Sequence, residues 1–486
     1  MANFLINTAG STIEGTTDAD LVEFITGGSA ATVKGKDGND ILKATAGYGL
    51  QGITFFGNTG DDIVSAAGAD VVDSNLQLGR GNDSAVLGGG DFNSSTIKGK
   101  LGEDTILITE LSANSTASSL QVKGNQGDDT ITISAGVNSG LIIANSTFAG
   151  GAGEDTIVFS AGNTISGTKI NGGLGEDLVV INDGSLTDSQ IHLHSEAKSA
   201  DLDSANTLNI SATNVQSSSV KGGGADDVIT LSAATFRDST IRASLGDDSI
   251  TMDTGAIIRS ADIAAGKGAD TIFLSGTTTT TASTLGGGQG DDTFNVFDVS
   301  SNSLVGGLGA DSFSGDIAGI TGNTFFFNTS TESTFTSRDT ISFLDATTTG
   351  GSFEFGFNTS NNVSVFSGSI TTGTFAALDD DLTISGGVFA FTGGMFDDGA
   401  STITAAVSAL NEGLTTNGDA VFFTLSGDSR SNAGTTGEAY LFVERGDDDL
   451  IVQVDDMLLV SGQFGGANSS ILQANNGADV NTLTLT

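Results

Sequence analysis

Aspartate recurs along this chain at a nearly constant spacing, each time directly after a glycine-rich turn. Most steps between successive copies are 19 to 22 residues, and three are longer, at 25, 26 and 29 residues. Carboxylates repeated in this way favour a hard divalent cation with oxygen ligands, which in proteins is typically Ca²⁺. The aspartates, which we call the slot residues, are Asp20, Asp40, Asp62, Asp83, Asp104, Asp129, Asp155, Asp177, Asp227, Asp248, Asp270, Asp292 and Asp311, with Asn206 in the slot between Asp177 and Asp227.

Glycine recurs five and two residues before the slot. Glycine takes positive φ without penalty and lets carbonyl oxygens point at a ligand. Stacked repeats would also bring the carboxylates about 4.8 Å apart, where they repel unless a cation lies between them. The pattern therefore predicts Ca²⁺ sites built from the slot carboxylates and the turn backbone, with solvated Gly-Asp turns as the simpler alternative. The glycines of these predicted sites are Gly35, Gly38, Gly57, Gly60, Gly99, Gly102, Gly124, Gly127, Gly150, Gly153, Gly172, Gly175, Gly287, Gly290, Gly306 and Gly309.

Apolar residues accompany the slot at fixed offsets of seven before, two after and four after, as in Phe148, Ile157 and Phe159 around Asp155. Alternation at period two on both sides of a glycine-rich corner predicts a strand, a corner and a second strand. A repeat of about 20 residues is typical of a solenoid. We therefore predict an all-β chain whose repeats are coils of a parallel β-solenoid (a β-roll), with small residues such as Ser74 and Ser146, nine before the slot, also inside.

The corner motif resembles the nonapeptide of the RTX (repeats-in-toxin) family, Gly-Gly-x-Gly-x-Asp-x-apolar-x. The copies that match it best are residues 150–157, 172–179, 287–294 and 306–313. The resemblance implies that each Ca²⁺ is shared by the slot carboxylates and corner carbonyls of successive coils. The family often has the motif at both corners of a coil, whereas here only one corner has it clearly, with Gly68-Ala69-Asp70 and Gly90-Asp91 as hints of a second. One calcium row is therefore expected.

Composition narrows the function classes. The net charge of −42, from 59 acidic and 17 basic residues, makes nucleic acid and anionic membranes poor partners and makes the cation-free chain self-repelling. There is no Cys, so neither disulfides nor thiol chemistry is available. The N-terminal residues lack the features of a Sec signal peptide, and no run is long enough for a membrane span.

Three domains are predicted. Residues 1–15 form an N-terminal cap or entry strand, residues 16–320 the calcium-binding solenoid, and residues 321–486 a mostly antiparallel β domain with one helix at 401–413. Beyond residue 320 phenylalanine is enriched, and alternating runs such as Phe353-Glu354-Phe355-Gly356-Phe357 predict strands. From Arg338 onwards the chain resembles the C-terminal domains of RTX proteins exported by type I secretion, which implies a secretion and assembly role.

The longest step holds the only two histidines, His192 and His194, with Glu196 nearby. A His-x-His pair with a carboxylate could hold Zn²⁺, but no third His or Cys accompanies it. The alternative that we favour is a surface excursion of the coil.

No catalytic site is predicted. The chain has no His-Glu-x-x-His motif, no Gly-x-Ser-x-Gly elbow in a suitable context and few residues of the kind that solenoid lyases use. The resemblance implies a secreted, extracellular or cell-surface protein that assembles with itself as an S-layer or filament, with cell-surface polysaccharide as a further partner. The alternatives are a calcium-dependent adhesin or ligand-binding surface protein and, third, a polysaccharide-active enzyme.

Overall fold

The computed structural model describes most of the first 343 residues and a smaller part of those that follow. The described residues are 2–25, 29–45, 48–68, 70–109, 115–134, 141–160, 162–182, 184–194, 204–232, 235–253, 255–275, 279–296, 299–315, 321–327, 331–334, 336–343, 352–357, 364–365, 368–370, 382–384, 388–391, 407, 410, 414, 419–425, 436–444, 449–458, 472–476 and 481–485. The chain divides into two compact units, Met1–Ile257 and Ile258–Thr486.

The first unit is a parallel β-solenoid in which each coil contributes one strand to each of two main sheets. Sheet 1 holds the strands that follow the slot residue, and sheet 2 holds the strands that precede it. Sheet 1 consists of Asn3–Ile6, Leu21–Phe24, Ile41–Ala44, Ile63–Ala67, Ser84–Gly88, Thr105–Thr109, Thr130–Ser134, Thr156–Phe159, Leu178–Asn182, Thr207–Ser211, Val228–Leu231 and Ser249–Met252.

Sheet 2 carries the longer strands and, in most coils, a short strand before each of them. The long strands are Thr12–Glu14, Thr32–Asp37, Thr54–Thr59, Asn75–Arg80, Thr96–Leu101, Gln121–Gln126, Thr147–Ala152, Lys169–Leu174, Gln190–His194, Ser219–Gly223 and Thr240–Leu245. The short strands are Thr116–Ser118, Ile142–Ala144, Thr164–Ser166, Ser185–Thr187, Asn214–Gln216 and Thr235–Arg237, while Leu50–Gln51 and Val71–Val72 pair with each other.

The register follows the sequence offsets. In sheet 1, Ile106, Ile131, Ile157 and Val179 are consecutive partners, and in sheet 2 the same holds for Ile97, Val122, Phe148 and Ile170. These side chains are at most 1% exposed. Stacking of like apolar residues on every coil gives a continuous core between the two sheets, so the predicted inward columns are confirmed. The predicted inward serines Ser74, Ser95, Ser146, Ser218 and Ser239 are buried as well.

The second unit begins with coils of the same kind. The strands Thr271–Leu274, Thr293–Val296, Ser312–Gly315 and Asp339–Phe343 continue the sheet 1 pattern. The strands Asp262–Lys267, Thr284–Gln289, Ser303–Leu308 and Thr321–Phe327 continue the sheet 2 pattern, with Ile257–Arg259, Thr279–Thr281 and Val299–Ser300 as short strands. Phe294 stacks on Phe313 with ring centroids 4.5 Å apart, and Phe325 packs edge-on against Phe313 at 5.2 Å.

The coil pattern therefore extends to Phe343, past residue 320, where the sequence places the start of the C-terminal domain. Thr340 pairs with Ser312 on one side and with Gln453 on the other, which attaches a strand from far along the chain to the last coil. The division into residues 1–15, 16–320 and 321–486 stays a prediction. Asn3–Ile6 already pairs in parallel with Leu21–Phe24, so the entry strand is part of sheet 1.

The remaining strands are Ser352–Phe357, Ser364–Val365, Gly368–Ile370, Leu382–Ile384, Val388–Phe391, Asp419–Leu425, Thr436–Val443, Leu450–Leu458, Leu472–Asn476 and Asn481–Leu485. Five of their pairings are antiparallel, for example Asp419–Leu425 with Thr436–Val443. The sequence predicts two strands over 449–460, but one strand runs from Leu450 to Leu458. Val407 and Leu410 are helical, whereas most of the predicted helix at 401–413 lies outside the described residues. The all-β class and the parallel β-solenoid are confirmed.

Candidate metal centre

Within each unit, the slot aspartates lie in a row inside the corner between the two sheets. Every one of them, from Asp20 to Asp248 in the first unit and from Asp270 to Asp311 in the second, is at most 3% exposed. They share the inward parity of the apolar residues two and four positions later, which explains why they point into the coil. Asp339 adds a position to the row that the sequence repeat does not reveal.

One carboxylate oxygen of each slot residue caps the backbone of the preceding coil. The N–H of Asp20 donates to Oδ1 of Asp40 at 2.8 Å, and the same bond joins each consecutive slot pair to Asp227 and Asp248 at 2.7 to 2.9 Å. In the second unit the bonds join Asp270, Asp292, Asp311 and Asp339 at 2.9 to 3.0 Å. The carboxylate thus satisfies a buried backbone donor at each of these positions.

At nine positions of the row the second carboxylate oxygen has no donor. Oδ2 is buried without a hydrogen-bond partner at Asp40, Asp62, Asp83, Asp104, Asp129, Asp155, Asp292, Asp311 and Asp339. An unpaired buried carboxylate oxygen is costly, because hydration is lost and nothing replaces it. Such a row calls for a proton or a cation at Oδ2.

The glycine five before the slot makes room for that oxygen. A β-carbon on Gly35 would lie less than 3.0 Å from both Oδ2 of Asp40 and the carbonyl oxygen of Gly57 in the next coil. The same pairing of a slot Oδ2 with a carbonyl of the next coil surrounds Gly57, Gly172, Gly222 and Gly287. We call each such space an oxygen cradle. It joins a carboxylate oxygen to a backbone carbonyl, which are the ligand types that Ca²⁺ takes.

The expectation that this glycine is needed for positive φ is wrong. Positive φ occurs at the glycine two before the slot, as in Gly60 at 131° and Gly153 at 138°, and at the residue four before it, as in Asn58 at 78° and Gly151 at 136°. Gly35, Gly57 and Gly150, five before the slot, do not take it. Their missing side chain serves the close approach of the carboxylate instead.

Burial dominates the titration of the row. Loss of hydration, joined at several positions by repulsion from neighbouring carboxylates, raises the pKa of Asp62 to about 7 and those of Asp83 and Asp129 to about 8. The pKa rises to about 8 at Asp292 and to about 9 at Asp339. It reaches about 6 at Asp40, Asp104, Asp155 and Asp311. Near neutral pH the metal-free row therefore retains protons.

Asp20, at the start of the row, differs from the others. Although burial acts to raise the pKa of Asp20, hydrogen bonds from the N–H groups of Thr16 and Ala2 outweigh it and lower that pKa below its usual value. Both of its oxygens thus have donors, and the first coil has no need of a cation at this position.

Asn206 shows how an amide fills the slot. Its Oδ1 accepts from the N–H of Asp177 at 2.9 Å, as a carboxylate would. Its Nδ2 donates to the Ser204 carbonyl oxygen at 3.2 Å and to Asp227 Oδ1 at 3.1 Å. At Asp227 the second oxygen accepts from the N–H of Gly223 at 2.5 Å. The row is therefore continuous through this coil, but the orphaned oxygen is absent from it.

The donor set fits Ca²⁺ at the cradles of Gly35, Gly57 and Gly287, where the slot Oδ2 has no donor and a carbonyl oxygen of the next coil lies beside it. Residues at each cradle would be the slot Asp, with its Oδ2, and the backbone carbonyl of the next coil, both hard oxygen ligands. Within the residues that the structure describes, no three His, Asp or Glu side chains gather at one point. Carbonyl oxygens would therefore have to supply much of the coordination, and the ion would neutralise charge that the fold buries.

A second interior row runs between the short and the long strands of sheet 2; the sequence predicts its burial but not its bonds. Oγ of Ser146 accepts from the N–H of Leu120 at 3.1 Å, and its one proton can go to the carbonyl oxygen of Ala144 at 3.0 Å or to that of Ala117 at 2.9 Å. Ser74, Ser95, Ser189, Ser218, Ser239 and Ser283 also accept an N–H from the preceding coil. The offset of nine residues from the slot reveals all of these serines except Ser189, which stands 17 residues before Asn206.

The histidines belong to the strand Gln190–His194 and are 7% and 8% exposed. The predicted surface excursion therefore does not begin before His194; residues 195–203, including Glu196, lie outside the described residues. Nε2 of His194 is buried without a hydrogen-bond partner. His194 is in register with Gly173, on the corner side of the strand, so the imidazole occupies a position that is glycine in the coil before it.

The hinted second corner exists for two coils. Oδ1 of Asp70 accepts from the N–H of Asp91 at 2.9 Å, and Oδ1 of Asp91 accepts from the N–H of Thr116 at 2.8 Å. Both aspartates lie nearer the surface than the slot residues do, and the described coils carry the long row only at the first corner.

No helix among the described residues is long and apolar enough to cross a lipid bilayer. Comparison of the chain with protein-family models, curated proteins and solved structures gives no match. The resemblance to RTX repeats thus stays a prediction that rests on the corner motif.

Proposed function

We propose that this chain is a secreted, calcium-dependent structural protein of the RTX type that assembles with itself at or outside a bacterial cell surface, as an S-layer or a filament. The single observation that carries the proposal is the row of buried slot carboxylates whose Oδ2 atoms face oxygen cradles without a donor.

Charge explains why a cation should control folding. The chain carries a net charge of −42, and the slot residues add carboxylates at a spacing of one coil, about 4.8 Å. Burying them as anions opposes folding, whereas Ca²⁺ in the cradles reverses the sign of the interaction. Binding that requires the coil to form is also folding free energy. A chain of this kind stays unfolded at cytosolic calcium and folds outside, where such modules bind at roughly 10⁻⁴ to 10⁻³ M.

The start of the solenoid supports assembly. Among the described residues, Asn3–Ile6 pairs with Leu21–Phe24 alone, and Thr12–Glu14 with Thr32–Asp37 alone. Each therefore presents an unpaired strand edge, and Leu5 on the first of them is 61% exposed. Unpaired edges template the addition of another strand, which a second copy of the chain can supply.

Negative-stain electron microscopy and light scattering of the purified chain in millimolar Ca²⁺ test the assembly. We expect ordered sheets or filaments that disappear with chelator. Leu5→Pro, which removes an edge N–H, should shorten or abolish them while leaving calcium-induced circular dichroism intact. Monomers alone at all calcium concentrations would overturn the structural role.

A second candidate function is a calcium-dependent adhesin or ligand-binding surface protein, and a groove on sheet 2, described below, favours it. A polysaccharide-active enzyme is the third class; release of reducing ends from acidic glycans would reveal it.

A further inference from the structure

The outer surface of five consecutive sheet 2 strands carries no acidic residue. These strands are Asn75–Arg80, Thr96–Leu101, Gln121–Gln126, Thr147–Ala152 and Lys169–Leu174, and we call their outer surface the acid-free face. They hold Arg80, Lys98, Lys100, Lys123 and Lys169, which are five of the 17 basic residues in a chain with 59 acidic ones. This segregation of charge leaves five basic side chains and no acidic one on these strands, in a chain that is otherwise strongly acidic.

A groove of about 530 Å³ crosses this face between Lys123 and Lys169. Ala149 and Gly151 lie on its lining in the coil between the two lysines. Because neither side chain extends beyond a methyl group, that coil makes a low floor with longer side chains on either side. The amides of Asn125 and Asn171 also line it.

Some polar groups of the groove have spare binding capacity. Nδ2 of Asn125 already donates to the carbonyl oxygens of Lys123 and Gly124, whereas the exposed side-chain amide of Gln126, which also lines the groove, makes no hydrogen bond to the described residues. Lys34 forms an ion pair with Glu14, and Lys43 forms one with Glu23. Among the described residues, no acidic side chain pairs with Lys123 or Lys169. Two unpaired ammonium groups and free amide capacity around a flat floor suit a ligand that is anionic and rich in hydroxyl groups.

We propose that the groove binds a carboxylated polysaccharide, with Lys123 and Lys169 on its carboxylates and the amide of Gln126 on its hydroxyls. No aromatic ring lines the groove, so stacking on a neutral sugar is not available and charge must provide selectivity. The floor of Ala149 and Gly151 accommodates a pyranose ring lying flat. The proposal goes beyond self-assembly and requires only a folded solenoid.

The test is calorimetric titration of the full-length chain, kept in a fixed excess of Ca²⁺, with an oligogalacturonate of defined length. Lys123→Ala/Lys169→Ala should weaken binding at least about tenfold, the effect of losing about 1.4 kcal/mol. Ala149→Phe, which fills the floor without changing the charge, should do the same. Lys34→Ala/Lys43→Ala removes the same charge away from the groove and is the matched control, with affinity expected within about twofold of the original chain.

Three results would overturn the proposal. The first is an equal loss of affinity in Lys34→Ala/Lys43→Ala, and the second is equal affinity of the original chain for the methyl-esterified oligomer. The third is self-association of the chain, in the absence of oligomer, that Lys123→Ala/Lys169→Ala abolishes; a second copy of the chain would then be the occupant of the groove. Circular dichroism of every variant with and without Ca²⁺ keeps this test separate from calcium-dependent folding. A chain that folds without Ca²⁺ can still bind the oligomer, and a chain that folds only with Ca²⁺ can fail to bind it.

Discussion

The backbone N–H of Asp40 donates to Oδ1 of Asp62 at 2.7 Å, and the other oxygen of the same Asp62 carboxyl group lies against Gly57 with no donor at all. At Asp62 and the other positions with an unpartnered Oδ2, one half of the carboxylate thus holds adjacent coils together, and the other half needs a positive partner. The backbone hydrogen bonds of the coil are therefore satisfied, but the negative charge of the carboxylate is not neutralised. The stability of the coil depends on what occupies the cradle.

Replacing one slot carboxylate by its amide separates the two halves. In Asp129→Asn, Oδ1 can still accept the N–H of Asp104, while Nδ2 becomes a donor as it is in Asn206. We expect the free energy of unfolding of the metal-free chain to rise by about 1 to 3 kcal/mol at pH 8, because a buried unpaired oxygen is removed. Calcium should stabilise the variant less than the original chain.

The exposed neighbour supplies the control for this variant. Asp128→Asn removes the same charge from the surface and should change both stabilities by less than about 0.5 kcal/mol. Denaturant unfolding with chelator and with Ca²⁺ measures the four values. Equal effects of the two variants would show that the slot position has no special role.

The metal-free chain should be most stable in mild acid. The folded-state pKa of Asp62 is about 7 and those of Asp83, Asp129 and Asp292 are about 8, all above the usual value of 3.8. The folded chain therefore binds more protons than the unfolded chain between about pH 4 and 8. The stabilising contribution is complete below the unfolded pKa and is lost as the pH rises through the folded pKa.

Thermal unfolding in chelator from pH 5 to 9 tests this dependence. We expect the Tm to fall steadily from pH 5 to about pH 8.5, and saturating Ca²⁺ to flatten the profile, since the ion takes the place of the protons. A metal-free Tm that rises with pH over the same range would contradict the burial of the row.

Two adjacent glycines of the strand Thr284–Gln289 separate close approach from general effects of substitution. A β-carbon on Gly287 would meet Asp292 Oδ2 and the Gly306 carbonyl oxygen at less than 3.0 Å, whereas one on Gly286 would find its nearest atoms at 3.8 and 3.9 Å. Gly287→Ala should destabilise the calcium-bound chain by about 1 to 3 kcal/mol or more, through overpacking. Gly286→Ala should be neutral or slightly stabilising. Chemical denaturation in Ca²⁺ distinguishes them, and similar losses for both would remove the cradle from the account.

The serine row should stabilise the chain irrespective of calcium. Ser146→Ala leaves the N–H of Leu120 without its acceptor and should cost about 1 to 3 kcal/mol. The loss should be equal with Ca²⁺ and with chelator, because this row lies at the opposite end of the long sheet 2 strand from the slots. Thr147→Ala on the outer surface is the control. A loss of stability in Ser146→Ala that differs between Ca²⁺ and chelator would contradict the conclusion that only the slot row responds to calcium.

Sequence periodicity was sufficient for the coil and its core. Phe148, Ile157 and Phe159 lie inside because their offsets from Asp155 repeat in every coil, and period-two alternation leaves no other parity. Periodicity was not sufficient to predict the role of Gly150. A glycine can be required either by a positive φ or by the close approach of another atom, and only the structure shows that Asp155 Oδ2 approaches this one. Asp339 was missed since its coil lacks the corner glycines, and the use of Ser146 as an acceptor depends on inter-coil contacts that spacing alone does not specify.

The most direct measurement is far-ultraviolet circular dichroism of the full-length chain at pH 8 during a calcium titration, with chelator as the reference and Mg²⁺ as the ionic-strength control. We expect a weak β signal in chelator, where the metal-free chain is close to its unfolding midpoint, and a cooperative transition to a β-rich spectrum at roughly 10⁻⁴ to 10⁻³ M Ca²⁺, with little response to Mg²⁺. A full β signal in chelator that Ca²⁺ neither strengthens nor stabilises against heat would contradict the claim that cations complete the row of slot carboxylates.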